Sequence, residues 1–529
     1  MCIRDRYPIG LPLKPCYIAS AVWRLRWSTG PASENEQEKA DHILQTLFSS
    51  PLFAALTGPE SSAPTRLRKS VLKIIGEHDD FLGRYPSYLQ AAIAVLLGCL
   101  ADARYMEVSG RAILRLCDAN RKVLIPQLEF LLDVMEQFFL FSGAVQSTRE
   151  QISEGVASVA QAVESSQYQM TALSRILQVL EGDFGTRSQQ ASRLTGIPLR
   201  EIAADTMRLL GNVANGFRMP EDTFIDLEIE EAVPLTFWTH GDGAVTQTRI
   251  VGLVERLTRT FPNDGQILEA ACKVMTAGFR ELAPGPFVFV AEVVVNFIVA
   301  VPLGNPRLDV VMRSMSAFLS SSKSLRMTDE TLVTRILNHI WVIVQYMVEP
   351  AHDPELAYSL VDAMSILSTL HFELFARLPL PVIAQLLSFS VKCIEAPEGL
   401  AKRSGARFFT SLLKFRPKSV QDGETMTRLI RSVLPDLVRA LIRNIAGDAS
   451  RSQLEWLAEP YRRLVQRCPE WRSSTEQALY ESDFPSTRVD DATKRRFVLQ
   501  VARLRGDGKT HSIIKDFWLV CRGMPNGYG

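Results

Sequence analysis

Several absences narrow what this sequence can do. No apolar run is long and clean enough to span a bilayer: the most apolar, Phe287 to Val301, carries Glu292 and Asn296 and stops at Pro302. Neither charge is in excess. Lysine plus arginine total 59 against 58 for aspartate plus glutamate, a formal net charge of +1, so the strong basic surplus of a general nucleic-acid binder is missing. The eight cysteines (Cys2, Cys16, Cys99, Cys117, Cys272, Cys393, Cys468, Cys521) are scattered, with no CxxC and no histidine at metal-ligand spacing. They read as free thiols in a reduced compartment, cytosol or nucleus. No secretory signal is visible. The seven histidines (His42, His78, His240, His339, His352, His371, His511) stand singly, so neither a zinc site nor a Ser–His or Cys–His pair can be proposed.

The glycine-rich stretches carry no phosphate loop. Gly506-Asp507-Gly508-Lys509-Thr510 resembles the end of one, but Arg503 stands where its first glycine belongs and no strand precedes it. It reads as a turn between two helices. Gly241-Asp242-Gly243 fares no better as a dinucleotide loop. The expectation is therefore no catalytic residue, no cofactor and no metal: not an enzyme.

What is present is a repeat. Hydrophobic residues make up 47% and charged residues 22% of 529, a folded composition on a chain too long for one compact core. From about Arg66 to Phe184 an apolar-striped helix begins three times, near Leu67, Met106 and Ile152. Partners open at Tyr85-Pro86, Ile125-Pro126 and Ser166-Gln167. The period of roughly 40 residues is that of HEAT or armadillo helix pairs. Proline suits a first helical turn, where its missing N–H has no intrahelical partner. Faces at 3, 4 and 7 spacing recur, among them Leu67, Val71, Ile74 and Ile75, then Leu89, Ile93, Leu96, Leu97 and Leu100. Each pair is apolar on both sides and must stack on its neighbours. The fold class expected is all-α: an α-solenoid, or superhelix, of HEAT-type antiparallel helix pairs, roughly ten to eleven repeats.

Four regions follow. Residues 1–16, whose MCIRDRYP resembles translated sequencing-adapter sequence, are expected to be an artefact or a disordered start, the chain being a piece of a longer one. Residues 17–217 and 249–529 are HEAT repeats, the latter with C-terminal capping helices. A helix is expected from about Arg187 to Phe217, broken at Gly196-Ile197-Pro198. Residues 218–248 read as an acidic loop insertion, with Glu221, Asp222, Asp226, Glu228, Glu230 and Glu231 interleaved with Ile225, Leu227 and Ile229. Those six carboxylates are the candidate contact for a basic partner, through charge complementarity and steering. Two basic clusters, Arg66, Arg68, Lys69 and Lys73, and Lys494, Arg495, Arg496, Arg503 and Arg505, read as solvated helix faces or helix–helix pairs. His78-Asp79-Asp80 reads as a solvated loop ending a helix.

With the helices placed, the C-terminal third resembles a known family. The stretches EAPEGLAKRSGARFFTSLL (Glu395 to Leu413) and GDASRSQLEWLAEPYRRLVQRCPEW (Gly447 to Trp471) are similar to late HEAT repeats of the importin-13/transportin-3 branch of the importin-β karyopherins. So is the tail, DFPSTRVDDATKRRFVLQV (Asp483 to Val501) and IIKDFWLVCRGMPNGYG (Ile513 to Gly529), with its FPS-x-R element and terminal L-x-CRG. Similarity is specific over the last 140 or so residues and weaker back to about Arg66. The resemblance implies a nucleocytoplasmic transport receptor shuttling between cytoplasm and nucleus. Its partners would be cargo proteins on the concave face, Phe-Gly nucleoporins, and the Ran GTPase, with no direct contact to membrane or nucleic acid. The family's main Ran-binding N-terminal repeats are missing from this sequence, so weak or no Ran binding is expected of it alone. The alternative is a HEAT scaffold subunit of a phosphatase or coat complex without Ran linkage.

Overall fold

Amphipathic periodicity becomes paired helices throughout the computed structural model, which describes residues 34–58, 63–193, 198–220, 236–281, 284–321, 329–417 and 419–524. Among the described residues there is no strand, and the fold is an all-α, HEAT-type solenoid. The helices in chain order are α1 (Glu34–Phe48), α2 (Pro51–Thr57), α3 (Thr65–Glu77), α4 (Asp79–Arg84), α5 (Pro86–Gly98), α6 (Met106–Ala119), α7 (Arg121–Leu124), α8 (Leu128–Leu140) and α9 (Gln146–Gln161). They continue as α10 (Ser166–Arg193), α11 (Leu199–Gly216), α12 (Thr236–His240), α13 (Asp242–Thr260), α14 (Gly265–Thr276), α15 (Ala291–Ala300), α16 (Leu308–Ser321), α17 (Glu330–Met347) and α18 (Pro354–Leu370). The last are α19 (Phe372–Ala376), α20 (Leu380–Glu395), α21 (Gly399–Lys414), α22 (Val420–Arg443), α23 (Arg451–Arg467), α24 (Trp471–Leu479), α25 (Asp491–Leu504) and α26 (Thr510–Cys521).

The chain forms two compact units, Met1–Phe261 with Lys273–Val288, and Pro262–Cys272 with Phe289–Gly529. In the first, α3, α6, α9 and α11 lie side by side in one layer, and α5, α8, α10 and α13 form the other. Glycine sets the closeness of the first layer. A Cβ on Gly76 would lie 2.8 Å from that of Ala112, one on Gly155 3.3 Å from Leu114 Cα, and one on Gly216 2.4 Å from the Glu154 carbonyl oxygen. On the opposite layer Gly98, Gly182 and Gly252 meet nothing within 4 Å. Helices therefore approach most closely at the glycines of the first layer, while the glycines of the second leave open space. In the second unit α16, α18, α21 and α23 form the corresponding layer, closed by α26.

Polar bonds repeat with the same pace as the helices. Asn120 Nδ2 donates to the Asp79 carbonyl (3.2 Å), Asn305 Nδ2 to Pro262 (2.8 Å) and Asn444 Nδ2 to Ile394 (2.9 Å), each from one repeat back to the one before. These asparagines are buried, where an unbonded amide would cost about 1–3 kcal/mol, so each bond fixes the register of its repeat.

Several expectations need correction. Helix is present at Thr236–His240 and from Asp242, ahead of the expected Ile250, so the loop reading does not hold for residues 242–248. No new helix starts near Arg187, because α10 runs unbroken for 28 residues to Arg193. His78-Asp79-Asp80 opens the short helix α4, which buries Phe81 and Leu82. Arg68 is not solvated: it is buried, donates to the Gly58 carbonyl (3.1 Å) and lies 4.9 Å from the Tyr105 ring centre. The glycine-rich stretch near Gly506 is, as expected, the turn between two helices, α25 and α26, with Gly506 at φ +76.

Candidate partner-binding surface

The sequence of α8, LEFLLDVMEQFFL, has more apolar residues than one face can bury. Leu128, Leu131, Leu132, Met135, Phe138 and Phe139 fill the inner side. Phe130 is left half in solvent, Leu140 is 86% exposed, and Phe141, which caps the helix in extended conformation, is 38% exposed. Gly143 makes room for that ring: a Cβ there would lie 2.8 Å from Phe141 Cζ. Across from these residues stand Val179 and Ala191 of α10 and Ile202 of α11. With Phe139, Leu140 and Phe141, though not Phe130, they line a groove of about 910 Å³ in the first unit. Isolated exposed apolar residues need no explanation, but a concave group of them marks a binding surface.

Charge lies beneath and beside the apolar walls. Arg149, buried, donates to Asp183 Oδ1 (2.9 Å) and stacks its guanidinium 5.4 Å from the Phe139 ring centre. Arg187 continues the chain to Asp205 Oδ2 (2.6 Å), and Arg208 joins Asp205 to Glu150. On the rim Arg175 holds Asp133 (2.8 Å), Glu136 (2.8 Å) and Glu129 (2.8 Å) of α8. Hydrogen bonds to Asp133 and Glu136 outweigh the opposing effect of burial and hold the Arg175 pKa above its ordinary value. Every charge named here has an opposite partner, so the groove offers apolar surface on a rigid ionic base. It can accept an aromatic or aliphatic side chain.

The six loop carboxylates picked from the sequence, Glu221, Asp222, Asp226, Glu228, Glu230 and Glu231, lie outside the described residues. Sequence reasoning missed the groove. Its one local signal was the run Phe138 to Phe141, two apolar residues longer than the helix could bury. Elsewhere the described cysteines are free and buried, and burial pushes the Cys117 and Cys272 thiols up to about 12, leaving both protonated. Among the described residues no cluster of three metal-ligating side chains forms.

The tail motifs that carried the resemblance meet each other. Ser486 Oγ of the FPS-x-R element donates to the Cys521 carbonyl (2.7 Å), and the Arg488 guanidinium donates to the Arg522 carbonyl. Trp518 Nε1 donates to the Ala449 carbonyl (2.8 Å), and Arg522 Nη2 to Gly447 (3.0 Å) and Ala449 (2.7 Å). Gly523, at φ +66, lets the chain turn against Arg488. The two motifs form one clasp that ties α26 back to the turn before α23.

Comparison with known proteins agrees. The Importin 13 repeat family matches residues 394–472. Over 93% of this chain the sequence is 22% identical to the importin beta-like protein kap111 of Schizosaccharomyces pombe, and over 88% it is 21% identical to Importin-13 of Homo sapiens. A solved structure titled "Importin13 cytosolic state" superposes on 96% of the chain with a TM-score of 0.69 at 14% identity, a likeness of fold. The chain is importin-13-like. It spans about half the length of the curated relatives it matches, 49% of kap111 and 47% of the human protein. In this importin-13-like chain the clasp buries Ser486, Trp518 and Cys521, whereas the groove between α8 and α10 exposes Leu140 and Phe141.

Proposed function

We propose that this importin-13-like chain serves nucleocytoplasmic transport, binding protein cargo on the glycine-tight layer and Phe-Gly nucleoporins on the opposite one. The observation that carries the reading is the likeness in sequence and fold to importins over nearly the whole chain. The groove supports the second contact. It opens between α8 and α10, in the layer where helices stand apart, and its exposed Leu140 and Phe141 suit a phenylalanine ring. Such a ring contributes about 1.5–3 kcal/mol when fully buried and less in an open groove, which favours brief, repeated contacts. A stack in which each repeat touches only its neighbours accumulates small rotations into a change of pitch, so cargo and GTP-bound Ran can bias one another's binding without a catalytic centre. The cytoplasm and nucleus are the proposed locations.

A Phe-Gly repeat resin should retain the chain, and Leu140→Asp together with Phe141→Asp should cut retention about tenfold with only a small drop in melting temperature, since Leu140 is exposed and Phe141 partly so. Retention on neither Phe-Gly resin nor cargo proteins would leave the scaffold reading in its place.

A further inference from the structure

Basic side chains crowd around one carboxylate in the middle of α23, beside the end of α21. Glu459 accepts from Arg462 Nη2 and Arg463 Nε, both at 2.9 Å, and its other oxygen lies 3.1 Å from His511 Nε2; Lys414 Nζ stands 3.4 Å away. Arg416, just past α21, and Arg467, the last residue of α23, are exposed, and neither has a carboxylate partner among the described residues. Burial and the nearby guanidiniums of Arg416 and Arg463 all act against the charge on Arg467 and lower its pKa. Other acids near the cluster are engaged: Asp507 acts on Arg462, and Glu470 is bonded to Arg431 at 3.0 Å.

Basic residues in a last helical turn have an ordinary explanation, since each helix C-terminus carries about half a negative charge. Two such ends account for roughly one cation. Among the described residues the ion pairs of Lys414, Arg462 and Arg463 all go to Glu459, with Asp507 acting on Arg462, so with Arg416 and Arg467 added a positive surplus remains after the dipoles are satisfied. The two outermost guanidiniums, Arg416 and Arg467, come from different segments and are exposed. That spread matches a row of carboxylates better than a lone phosphate, and the chain's net charge of +1 gives it no general affinity for nucleic acid.

We propose that Lys414, Arg416, Arg463 and Arg467 form a docking patch for an acidic, aspartate- and glutamate-rich segment of a partner protein. The segment lies across the ends of α21 and α23 and supplies the counter-charge the fold leaves out. Arg416 and Arg467 make the new contacts, while Arg462 and Arg463 stay anchored on Glu459. The patch belongs to the second unit and does not depend on the transport reading.

The test is fluorescence anisotropy of a labelled Asp/Glu-rich peptide titrated with the full chain at low salt. Binding should weaken steeply as salt is added. Exchanging Arg416→Glu together with Arg467→Glu should weaken it by about tenfold or more, and Arg416→Gln with Arg467→Gln by an intermediate factor. Retention on Phe-Gly resin should be unchanged in both, which separates this patch from the groove. Should the glutamate pair fail to fold, the glutamine pair decides. Equal binding by wild type and variants, or no binding by any, overturns the proposal. So does single-stranded RNA of equal length binding more tightly than the peptide, which would make the patch a nucleic-acid surface.

Discussion

Leu96 of α5 is fully buried, while Leu97, one residue on, is half-buried, although the apolar stripe includes both. An aspartate at the first position would be an unpaired charge in the core. Leu96→Asp should therefore cost about 4 kcal/mol or more, and Leu97→Asp clearly less, as read by chemical denaturation. Two glutamates behave in opposite ways. Burial disfavours the charge on Glu459, yet hydrogen bonds from Arg462, Arg463 and His511 prevail and hold its pKa well below the carboxylate range. Its contribution to stability is present above the unfolded value of about 4.3 and is lost as pH falls through the depressed folded value. Glu154 is raised, chiefly by burial, against the lowering effect of its bond with Asn215. Here the unfolded state ionises first, so stability is lost as pH rises above about 4.3. Glu154→Gln should accordingly raise the melting temperature at neutral pH and leave it unchanged in acid, where both forms are neutral.

At the scale of elements, the close layer depends on missing side chains. Gly216 ends α11 against the backbone of α9, and Gly216→Ala would press a methyl to 2.4 Å from the Glu154 carbonyl oxygen and 2.8 Å from Ala157 Cβ. Neither neighbour can swing aside, so a loss of about 1–3 kcal/mol is expected in thermal or denaturant unfolding. Helix starts were legible because they are local: Tyr85-Pro86, Met106, Ser166 and Pro354 open helices within a residue of where caps and periodicity put them. Helix ends were less so. Gly182 and Gly185 do not interrupt α10, since a glycine costs an exposed helix only about 1 kcal/mol. Pro460 and Pro435 sit inside α23 and α22, where tertiary packing outweighs the lost backbone bond.

The whole molecule inherits the one-dimensional character of its repeats, in which each pair is held by its neighbours. The C-terminal clasp is the last such contact, and its loss should be felt locally. Trp518→Ala should speed amide hydrogen exchange in α23 to α26, while α3 to α9 keep their protection. Uniform loss of protection along the chain would mean a cooperative body instead of a stack.

Sequence alone determined the all-α repeat class, the period near 40 residues and many of the helix starts, though not those at Gln146 and Asp242, because amphipathic spacing and capping act within one or two turns. It also held the tail motifs that mark the importin-13 likeness, though not that they bind each other. The groove at Leu140 and Phe141 and the basic patch around Glu459 were decided only by tertiary structure. Each joins residues far apart in the chain, Phe139 to Ile202 and Lys414 to His511, and which of them stay exposed depends on how neighbouring helices pack.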